Sequence, residues 1–410
     1  MAGSLLRKVS GLSILLLAAG ATAPAQTRVV TVGDVHGAFP EFVAILQRTG
    51  LTDASRNWTG GSAVLVQTGD VPDRGPATRQ SLDLLMELER QAEKQSGKVL
   101  PLLGNHEVMT VMADLRYVSV EDYQSFATDQ SEKVREQAFE DYKKFLQARG
   151  KHNHPLLAGD EGARQKWLAD HPLGYFERYD AFSPQGLYGR WLRGHDAVAQ
   201  VGDVLYMHGG LNPKLHFRNI RELNDRIRSE MANFDSLWQG LANRKLIWRY
   251  MTLDEAIREV QDEWAAIQSA GQAGAPSGGE DMQKFLSMQS WLLISQDSPL
   301  WYRGLALEPE EKLKHDLDKM LARLKARYLV AAHTVRPKYD IMTRFDNHVF
   351  LIDTGMLKPY FGGRASALEV RDGRFAAFYA DEEKPRPLFA AETGAQPAAA
   401  AGQVDGERKP

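Results

Sequence analysis

Three short apolar runs near the start of the chain are each followed by a glycine and then an aspartate or an asparagine. The runs cover residues 28–32, 63–66 and 98–103, and they are rich in valine and leucine. Apolar residues recur at helical spacing between them, over 39–49 and 77–94. This alternation of strands and helices predicts an α/β protein with a layered, mixed β-sheet and helices packed outside it.

Two long helical stretches interrupt this pattern, over about 115–193 and about 218–293. Later apolar runs predict further strands, at residues 204–207, 328–332, 349–353 and 375–379. We therefore expect one folded domain over residues 27–385 that carries two helical insertions.

The composition is that of an ordinary globular protein, with 43% hydrophobic and 25% charged residues. The formal net charge of −3 gives no electrostatic reason to expect binding to nucleic acid. The chain has no cysteine, which excludes disulfides, thiolate metal sites and cysteine nucleophiles. Any metal ion must therefore be held by oxygen and nitrogen ligands.

Residues 1–25 have the organisation of a secretory signal peptide. Arg7 and Lys8 precede a short apolar segment, and Ala25 is a small residue before a predicted cleavage site. The apolar segment is too short to span a bilayer; an uncleaved anchor or a buried N-terminal helix are the alternatives. We expect an exported protein, periplasmic or secreted, that is soluble and not stably attached to a membrane. The alanine-rich residues 390–410 predict a disordered tail.

Metal-binding side chains follow the first three predicted strands. Asp34 and His36 lie two positions apart, so both can point to one side and share a metal ion. Asp70 occupies the matching position after the second strand, where a carboxylate can bridge two cations. Asn105 offers a carbonyl oxygen after the third strand. Because ligands collect at the carboxyl ends of strands in α/β sheets, we expect these side chains at one rim.

Other polar residues extend this candidate site. Arg74 can hold phosphate oxygens with its guanidinium group, although an ion pair within a tight loop is the alternative. His106 can give a proton to a departing oxygen atom. His208 and His333 each follow a predicted strand and complete a mixture of oxygen and nitrogen ligands. The other seven histidines are interpreted as structural: His152, His154, His171, His195, His216, His315 and His348.

Five motifs occur in an order that resembles the signature of calcineurin-like metallophosphoesterases. They are GDVHG at 33–37, GDVPDRG at 69–75, GNHE at 104–107, HGGLNP at 208–213 and AH at 332–333. More narrowly, they resemble the phosphoprotein phosphatase superfamily. The resemblance implies a mixed β-sheet sandwich flanked by helices and covers roughly residues 28–380.

Three shorter segments resemble the bacterial branch of this superfamily, which includes Shewanella-like and Rhizobiales-like phosphatases. They lie at residues 189–193, 298–304 and 351–355. Pro72 departs from many eukaryotic members, which have a small aliphatic residue at this position.

The resemblance also implies roles for single residues. Two divalent or trivalent metal ions are expected, with manganese first and iron or zinc as alternatives. The implied metal ligands are Asp34, His36, Asp70, Asn105, His208 and His333, with Asp70 shared by both ions. His106 is the implied general acid, oriented by Asp73. The implied phosphate-binding residues are Arg74, Arg303 and Asn105.

These observations predict a dinuclear-metal phosphomonoesterase in which a metal-bridging hydroxide attacks phosphorus. The expected substrate is a phosphorylated protein or a small phosphate ester, with phosphotyrosine and phosphoserine or phosphothreonine both open. A dinucleoside polyphosphate hydrolase is one alternative, and a non-catalytic exported metal-binding module is another. The sequence leaves the oligomeric state open.

Overall fold

The computed structural model of the chain describes residues 28–269 and 279–390. The predicted signal peptide lies outside the described residues, and so does the predicted tail apart from Ala390. None of the helices in the described ranges is long and apolar enough to cross a membrane.

Eleven strands form two mixed β-sheets in the described part of the chain. The strands are β1 Val29–Val32, β2 Val64–Gln67, β3 Lys98–Pro101, β4 Val198–Val201, β5 Val204–Met207, β6 Tyr328–Ala331, β7 Met342–Arg344, β8 Val349–Leu351, β9 Ser366–Arg371, β10 Arg374–Tyr379 and β11 Arg386–Ala390. The first sheet has the order β11-β10-β9-β1-β2-β3, and the second has the order β4-β5-β6-β8-β7.

The central strands run parallel in each sheet. In the first sheet β1, β2 and β3 are parallel, with Val29 beside Val64 and Val64 beside Lys98. In the second sheet β5, β6 and β8 are parallel, and the antiparallel strands β4 and β7 form the edges. The carboxyl ends of the parallel strands therefore lie together at one edge of each sheet.

The two sheets face each other across an apolar layer. Val29 and Val64 of the first sheet belong to the same buried cluster as Val204 and Phe350 of the second. Val30, the neighbour of Val29, belongs instead to the larger cluster beneath the helices. Because successive side chains of a strand point to opposite faces, each central strand contributes to both layers. The predicted layered, mixed sheet with helices outside it is confirmed.

Fourteen α-helices and one 3₁₀ helix, Ser287–Ser290, lie within the described residues. The α-helices are α1 Phe39–Arg48, α2 Thr78–Glu93, α3 Asn105–Val111, α4 Val120–Ser125, α5 Ser131–Ala148, α6 Glu161–Asp170, α7 Tyr175–Phe182, α8 Leu187–Arg193, α9 Ile220–Asn243, α10 Leu253–Ser269, α11 Gly279–Leu286, α12 Gly304–Leu307, α13 Glu310–Arg323 and α14 Lys358–Phe361.

The two stretches predicted as helical insertions contain α4 to α8 and α9 to α11. The insertions contact each other, since Arg193 at the end of α8 donates two hydrogen bonds to the Asp235 carboxylate of α9, at 2.7 and 2.8 Å. The division of the chain into one domain with two insertions stays a prediction.

Candidate metal centre

The candidate site lies where parallel strands of both sheets end. In the first sheet, β1 and β2 lead into loops that carry Asp34 and Asp70, and β3 leads to Asn105 at the start of α3. In the second sheet, β5 and β6 lead into His208 and His333. All five residues are buried, with at most 6% of their surface exposed. The fold therefore joins side chains that are far apart in the sequence.

The loops that carry these side chains turn sharply. The backbone φ angle is +49° at His36, +58° at Asp70 and +67° at His333, in the left-handed region that residues other than glycine seldom adopt. The amides of Val35 and His36 both donate to the carbonyl of Asp70 at 2.9 Å, which holds the first two loops together. Hydrogen bonds between loops thus maintain a strained backbone beneath the site.

Asp70 lies between two groups of potential metal ligands. Its Oδ2 is 3.5 Å from His36 Nε2 and 3.3 Å from His208 Nε2. One group joins Asp70 with His36 and His106, and the other joins it with His208 and His333; within each group the ligand atoms lie within 4.8 Å of one another. A carboxylate shared by two groups suits a pair of ions roughly 3.5–4 Å apart.

Two of the histidines are oriented by backbone carbonyls. His36 Nδ1 donates to the carbonyl of Pro72 at 3.0 Å, and His208 Nδ1 donates to the carbonyl of Thr68 at 3.1 Å. Each bond places the proton on Nδ1 and leaves the lone pair of Nε2 facing Asp70. Carbonyl partners of this kind fix the tautomer and the ring orientation of metal-binding histidines.

The second group brings ligand atoms close together. His208 Nε2 is 2.9 Å from both Asn105 Oδ1 and His333 Nδ1. The Nε2 atom of His333 is buried and has no hydrogen-bond partner among the described residues. Several lone pairs that converge on one small space are favourable only around a cation.

Burial favours the neutral form of two of the candidate ligand histidines, His36 and His333. It lowers the pKa of His36 and of His333 well below the usual value for histidine. Metal ions bind the neutral imidazole. These two histidines are therefore ready to act as ligands at neutral pH.

The carboxylates repel one another in the absence of a cation. Burial raises the pKa of Asp34 well above its usual value, and the nearby carboxylates of Asp353 and Asp70 raise it further. Burial also favours a raised pKa for Asp70, but the neighbouring His208 and His106 lower it well below its usual value. Asp353, for which the sequence analysis proposed no role, thus belongs to the electrostatics of the site.

These observations fit a dinuclear metal centre. The donors are carboxylate, amide and imidazole groups, and the arrangement places one carboxylate between two sets of donors. This is the composition expected from the sequence, and the predicted dinuclear site is supported. The donor set suits manganese, iron and zinc alike, so it does not choose the metal.

Asp34 lies beside the first group of potential ligands, to which His106 belongs by position. Asp34 Oδ2 is 3.8 Å from His36 Nε2, while its Oδ1 accepts a hydrogen bond from the backbone amide of His333 at 3.2 Å. The distance between His106 Nε2 and Asp70 Oδ2 is also 3.8 Å. The sequence predicted Asp34 as a ligand and His106 as a proton donor, and distance alone does not separate the two.

His106 forms a buried pair with Asp73. The His106 Nδ1 atom is 2.7 Å from Asp73 Oδ2, and both side chains are at most 1% exposed. Burial favours a lowered pKa for His106, but the carboxylates of Asp70 and Asp73 raise it above its usual value. The pair therefore favours the protonated form of the imidazole, and it fixes the orientation of the ring.

The two arginines predicted to bind phosphate lie beside the histidines. Arg74 Nη1 is 3.0 Å from His36 Nε2. Arg303 donates from Nη1 to the carbonyl of His333 at 2.6 Å and to Thr334 Oγ1 at 3.0 Å. Both guanidinium groups therefore lie at the rim of the metal centre.

Three aromatic rings surround Arg74. Its Cζ atom is 5.3 Å from the ring centre of Tyr117, 5.1 Å from that of Tyr360 and 5.0 Å from that of Phe361. Tyr117 is 40% exposed and Tyr360 is 58% exposed. We call these three residues the aromatic rim; sequence analysis did not single them out.

Glu107 is a structural residue of the site that was quoted in a motif without a role. Its Oε2 accepts hydrogen bonds from the amides of Gly104 and Asp70, at 2.7 and 2.8 Å, and its Oε1 accepts one from Val71 at 2.8 Å. A sequence signal exists, because a glutamate three residues after the N-cap residue, here Gly104, is typical of a capping box. Glu107 ties the start of α3 to the loop of Asp70.

A family model described as calcineurin-like phosphoesterase matches residues 27–337, which is more than half of the chain. The chain belongs to this family. The resemblance found in the sequence is therefore confirmed, and so are the calcineurin-like fold and the prediction of a metal-dependent phosphatase.

This calcineurin-like phosphoesterase is similar to several known proteins. It is 27% identical over 344 residues to an uncharacterized protein of Schizosaccharomyces pombe, covering 83% of this chain and 76% of that protein. It is 32% identical over 215 residues to Shewanella-like protein phosphatase 2 of Arabidopsis thaliana, covering 50% of this chain and 52% of that protein. Over 334 residues it is 25% identical to Shewanella-like protein phosphatase 1 of Plasmodium berghei, covering 80% of this chain and 67% of that protein.

The fold is also similar to that of a solved structure. A cold-active protein-tyrosine phosphatase of a psychrophilic Shewanella species has a TM-score of 0.55 to this phosphoesterase and is 21% identical to it. The comparison covers 89% of this chain and 81% of that one. At this identity the likeness establishes the fold.

Proposed function

We propose that this phosphoesterase is a dinuclear-metal phosphomonoesterase that acts on phosphorylated protein, with His106 as its general acid. The observation that carries the proposal is the buried pair of His106 and Asp73 directly beside the carboxylate of Asp70. An acid that carries a proton and a set of metal ligands are the two components that phosphate ester hydrolysis requires.

The proposed ligands divide between two ions. The first ion is held by Asp34, His36 and Asp70. The second is held by Asp70, Asn105, His208 and His333. When bound, the metal ions supply Lewis acidity toward the phosphate and lower the pKa of the attacking water. Manganese is the proposed native metal, with iron and zinc as the alternatives to test.

The remaining side chains act on the substrate. Arg74 and Arg303, which lie beside His36 and His333, bind the phosphate oxygens and neutralise part of their charge. Asn105 is proposed to contact the same group. His106 gives its proton to the oxygen atom that leaves with the protein side chain. Asp73 holds the ring in place and stabilises its charged form.

The aromatic rim supports a preference for aryl phosphates such as phosphotyrosine. Tyr117 and Tyr360 are exposed beside Arg74, so a ring attached to a phosphate held there would contact them. Stacked and edge-to-face ring pairs contribute about 0.5–1.5 kcal/mol beyond the burial of their surface. A serine phosphate offers no such contact.

The proposal is tested by hydrolysis of para-nitrophenyl phosphate by the metal-loaded protein, with bound metal quantified, alongside Asp70→Asn. We expect about two metal ions per wild-type chain, and loss of both metal and activity in the variant. Phosphotyrosyl and phosphoseryl peptides and diadenosine tetraphosphate then define the substrate. Faster cleavage of the dinucleotide would replace the phosphoprotein proposal with the dinucleoside polyphosphate hydrolase.

The role of the aromatic rim is tested by Tyr360→Ala. We expect the KM for a phosphotyrosyl peptide to rise about three- to tenfold, and the KM for a phosphoseryl peptide to stay within about twofold. Leu187→Ala is the control, because Leu187 is similarly exposed but lies in α8. An equal rise for both peptides would contradict the preference.

We also propose that the protein is exported and soluble after removal of residues 1–25. The support is the charge and hydropathy pattern of those residues. N-terminal sequencing of the native protein tests it, with Gln26 as the expected first residue. A mature chain that begins at residue 1 or 2 would contradict export by this signal.

A further inference from the structure

The first helical insertion reaches the general acid through a buried arginine. Arg178 lies in α7, outside the five motifs quoted for the family, and is 1% exposed. Its Nη2 donates to Asp73 Oδ1 at 3.1 Å, and its Nε donates to Asp122 Oδ2 at 2.9 Å. Asp122 lies in α4, which belongs to the same insertion.

The two oxygens of the Asp73 carboxylate have different partners. Oδ2 contacts His106 at 2.7 Å, whereas Oδ1 accepts from Arg178 and, at 3.5 Å, from Thr110 Oγ1. Asp73 also has a φ angle of +72° and no exposed surface. Its carboxylate plane, and with it the direction of the His106 ring, is therefore determined by what binds Oδ1.

Asp122 is the last member of a buried row of alternating charges that begins at His106 and passes through Asp73 and Arg178. Its Oδ1 accepts a hydrogen bond from the amide of Thr78 at the start of α2, at 3.3 Å, while Oδ2 binds Arg178. The rings of Phe182 and Tyr123 lie against the Arg178 guanidinium, 4.8 and 5.7 Å from its Cζ atom. Packing and hydrogen bonds together leave the guanidinium only one orientation.

We propose that Arg178 is a positioning residue for the general acid, and that the first insertion supplies this residue to the active site. Asp122 anchors Arg178, Arg178 orients Asp73, and Asp73 orients His106. This inference rests on the proposed role of His106 as general acid. It gives the insertion a function in the reaction beyond covering the fold.

The inference predicts a loss that depends on the leaving group. An ester with a poor leaving group needs protonation more than one with a good leaving group, so a misplaced acid slows the former more. For Arg178→Gln we expect kcat for phenyl phosphate to fall at least about tenfold and kcat for para-nitrophenyl phosphate to fall less than about threefold. KM and bound metal are expected to remain within about twofold of wild type, because Arg178 contacts neither substrate nor ligands.

A double variant separates positioning from structure. Arg178→Gln added to His106→Asn is expected to cause no further loss of kcat, because the acid it orients is already absent. Arg193→Gln is the matched control, since Arg193 is an ion-paired arginine of the same insertion without a contact to Asp73. For each of the two esters, the kcat of Arg193→Gln is expected to stay at the wild-type value.

Two further measurements keep the test decisive if Arg178→Gln is poorly folded. Arg178→Lys retains the charge and is expected to restore part of kcat for phenyl phosphate. Arg178 also borders a cavity of about 200 Å³ that contacts Thr110 and Phe182. Added guanidinium ion can enter this cavity and is expected to raise the kcat of Arg178→Ala but not that of Arg193→Ala.

The outcomes distinguish this inference from the proposed function. If His106→Asn shows no loss that depends on the leaving group, the general-acid role itself is wrong. If His106→Asn does show it, but Arg178→Gln slows both esters equally or slows His106→Asn further, the positioning role is wrong.

Discussion

At the scale of single residues, the backbone of the site adopts conformations that residues other than glycine seldom adopt. His36, Asp70, Asp73, Arg74 and His333 all have φ angles between +49° and +72°. Such residues cost of order 1–3 kcal/mol each and persist only where the surroundings hold them. Here the loops hold one another, as the two amides that share the Asp70 carbonyl show.

His106 and Asp34 are distinguished by metal content. His106→Asn is expected to lower kcat by about 10²- to 10⁴-fold while the protein keeps its two metal ions, because a general acid is lost but no ligand is. Asp34→Asn is expected to lose bound metal as well as activity. The metal content and the kcat of each variant are measured on the same preparation, and together they separate the two roles. Equal loss of metal in both variants would make His106 a ligand.

Gly104 has no room for a side chain. A Cβ atom added there would lie 2.3 Å from Asp70 Oδ1 and 2.5 Å from the Asp70 amide nitrogen. Gly104→Ala is therefore expected to displace the shared carboxylate and to lower bound metal and activity together. Gly240→Ala in α9 is the control, because the nearest atom to its added Cβ is 3.6 Å away. Full metal content in Gly104→Ala would contradict this account.

The metal-binding side chains could be predicted from the sequence because strand ends converge in this kind of sheet. Asp34 and Asp70 follow apolar runs that are typical of buried strands. The edge of the sheet at which these side chains lie could therefore be predicted. Arg178 could not be found in this way, because it lies in an amphipathic helix and its partners are 56 and 105 residues away. Long-range ion pairs leave no local pattern.

At the scale of elements, the strands that carry the site were predicted to within one or two residues at most ends. Of the strands that the sequence did not reveal, β4, β7 and β11 are edge strands, whereas β9 lies between β10 and β1. The residues of β7 and β11 are half-buried or exposed, so alternation of apolar and polar residues is weak there. Edge strands form because a neighbouring strand offers its backbone groups.

His195, directly after α8, makes stability depend on pH. Burial lowers its pKa to about 4, and its Nδ1 has no hydrogen-bond partner among the described residues. The unfolded chain takes up a proton below pH about 6.5, whereas the folded chain does not until pH about 4. The free energy of unfolding should therefore fall as pH is lowered between these values, by at most about 3 kcal/mol from this residue.

His195→Leu removes this contribution. The ligand histidines also titrate, so both proteins are compared after chelation of metal, by urea unfolding at pH about 7 and about 4.5. The unfolding free energy of wild type is expected to drop more than that of His195→Leu over this interval. Identical drops would show that His195 is charged in the folded protein.

At the scale of the whole molecule, the metal centre lies across the two sheets. Asp34, Asp70 and Asn105 follow strands of the first sheet, whereas His208 and His333 follow strands of the second. Besides the apolar layer, hydrogen bonds from His208 Nδ1 to the Thr68 carbonyl and from the His333 amide to Asp34 join the sheets here, while the buried carboxylates of Asp34 and Asp70 repel each other. A cation bound there would therefore do more than serve the reaction, because it would also link the two halves of the sandwich.

Removal of metal is thus expected to destabilise the entire described fold. A ligand that binds only the folded state adds RT ln(1 + [L]/Kd), about 4 kcal/mol at a free metal concentration of a thousand times Kd. Calorimetry should show a lower melting temperature for wild type in chelator than in manganese. The shift should be absent in Asp70→Asn, which lacks the shared ligand. Chelation could instead abolish activity and leave the melting temperature unchanged. In that case the fold holds the metal site fully formed without the metal. The hydrogen bonds between loops then suffice to keep the two sheets in register.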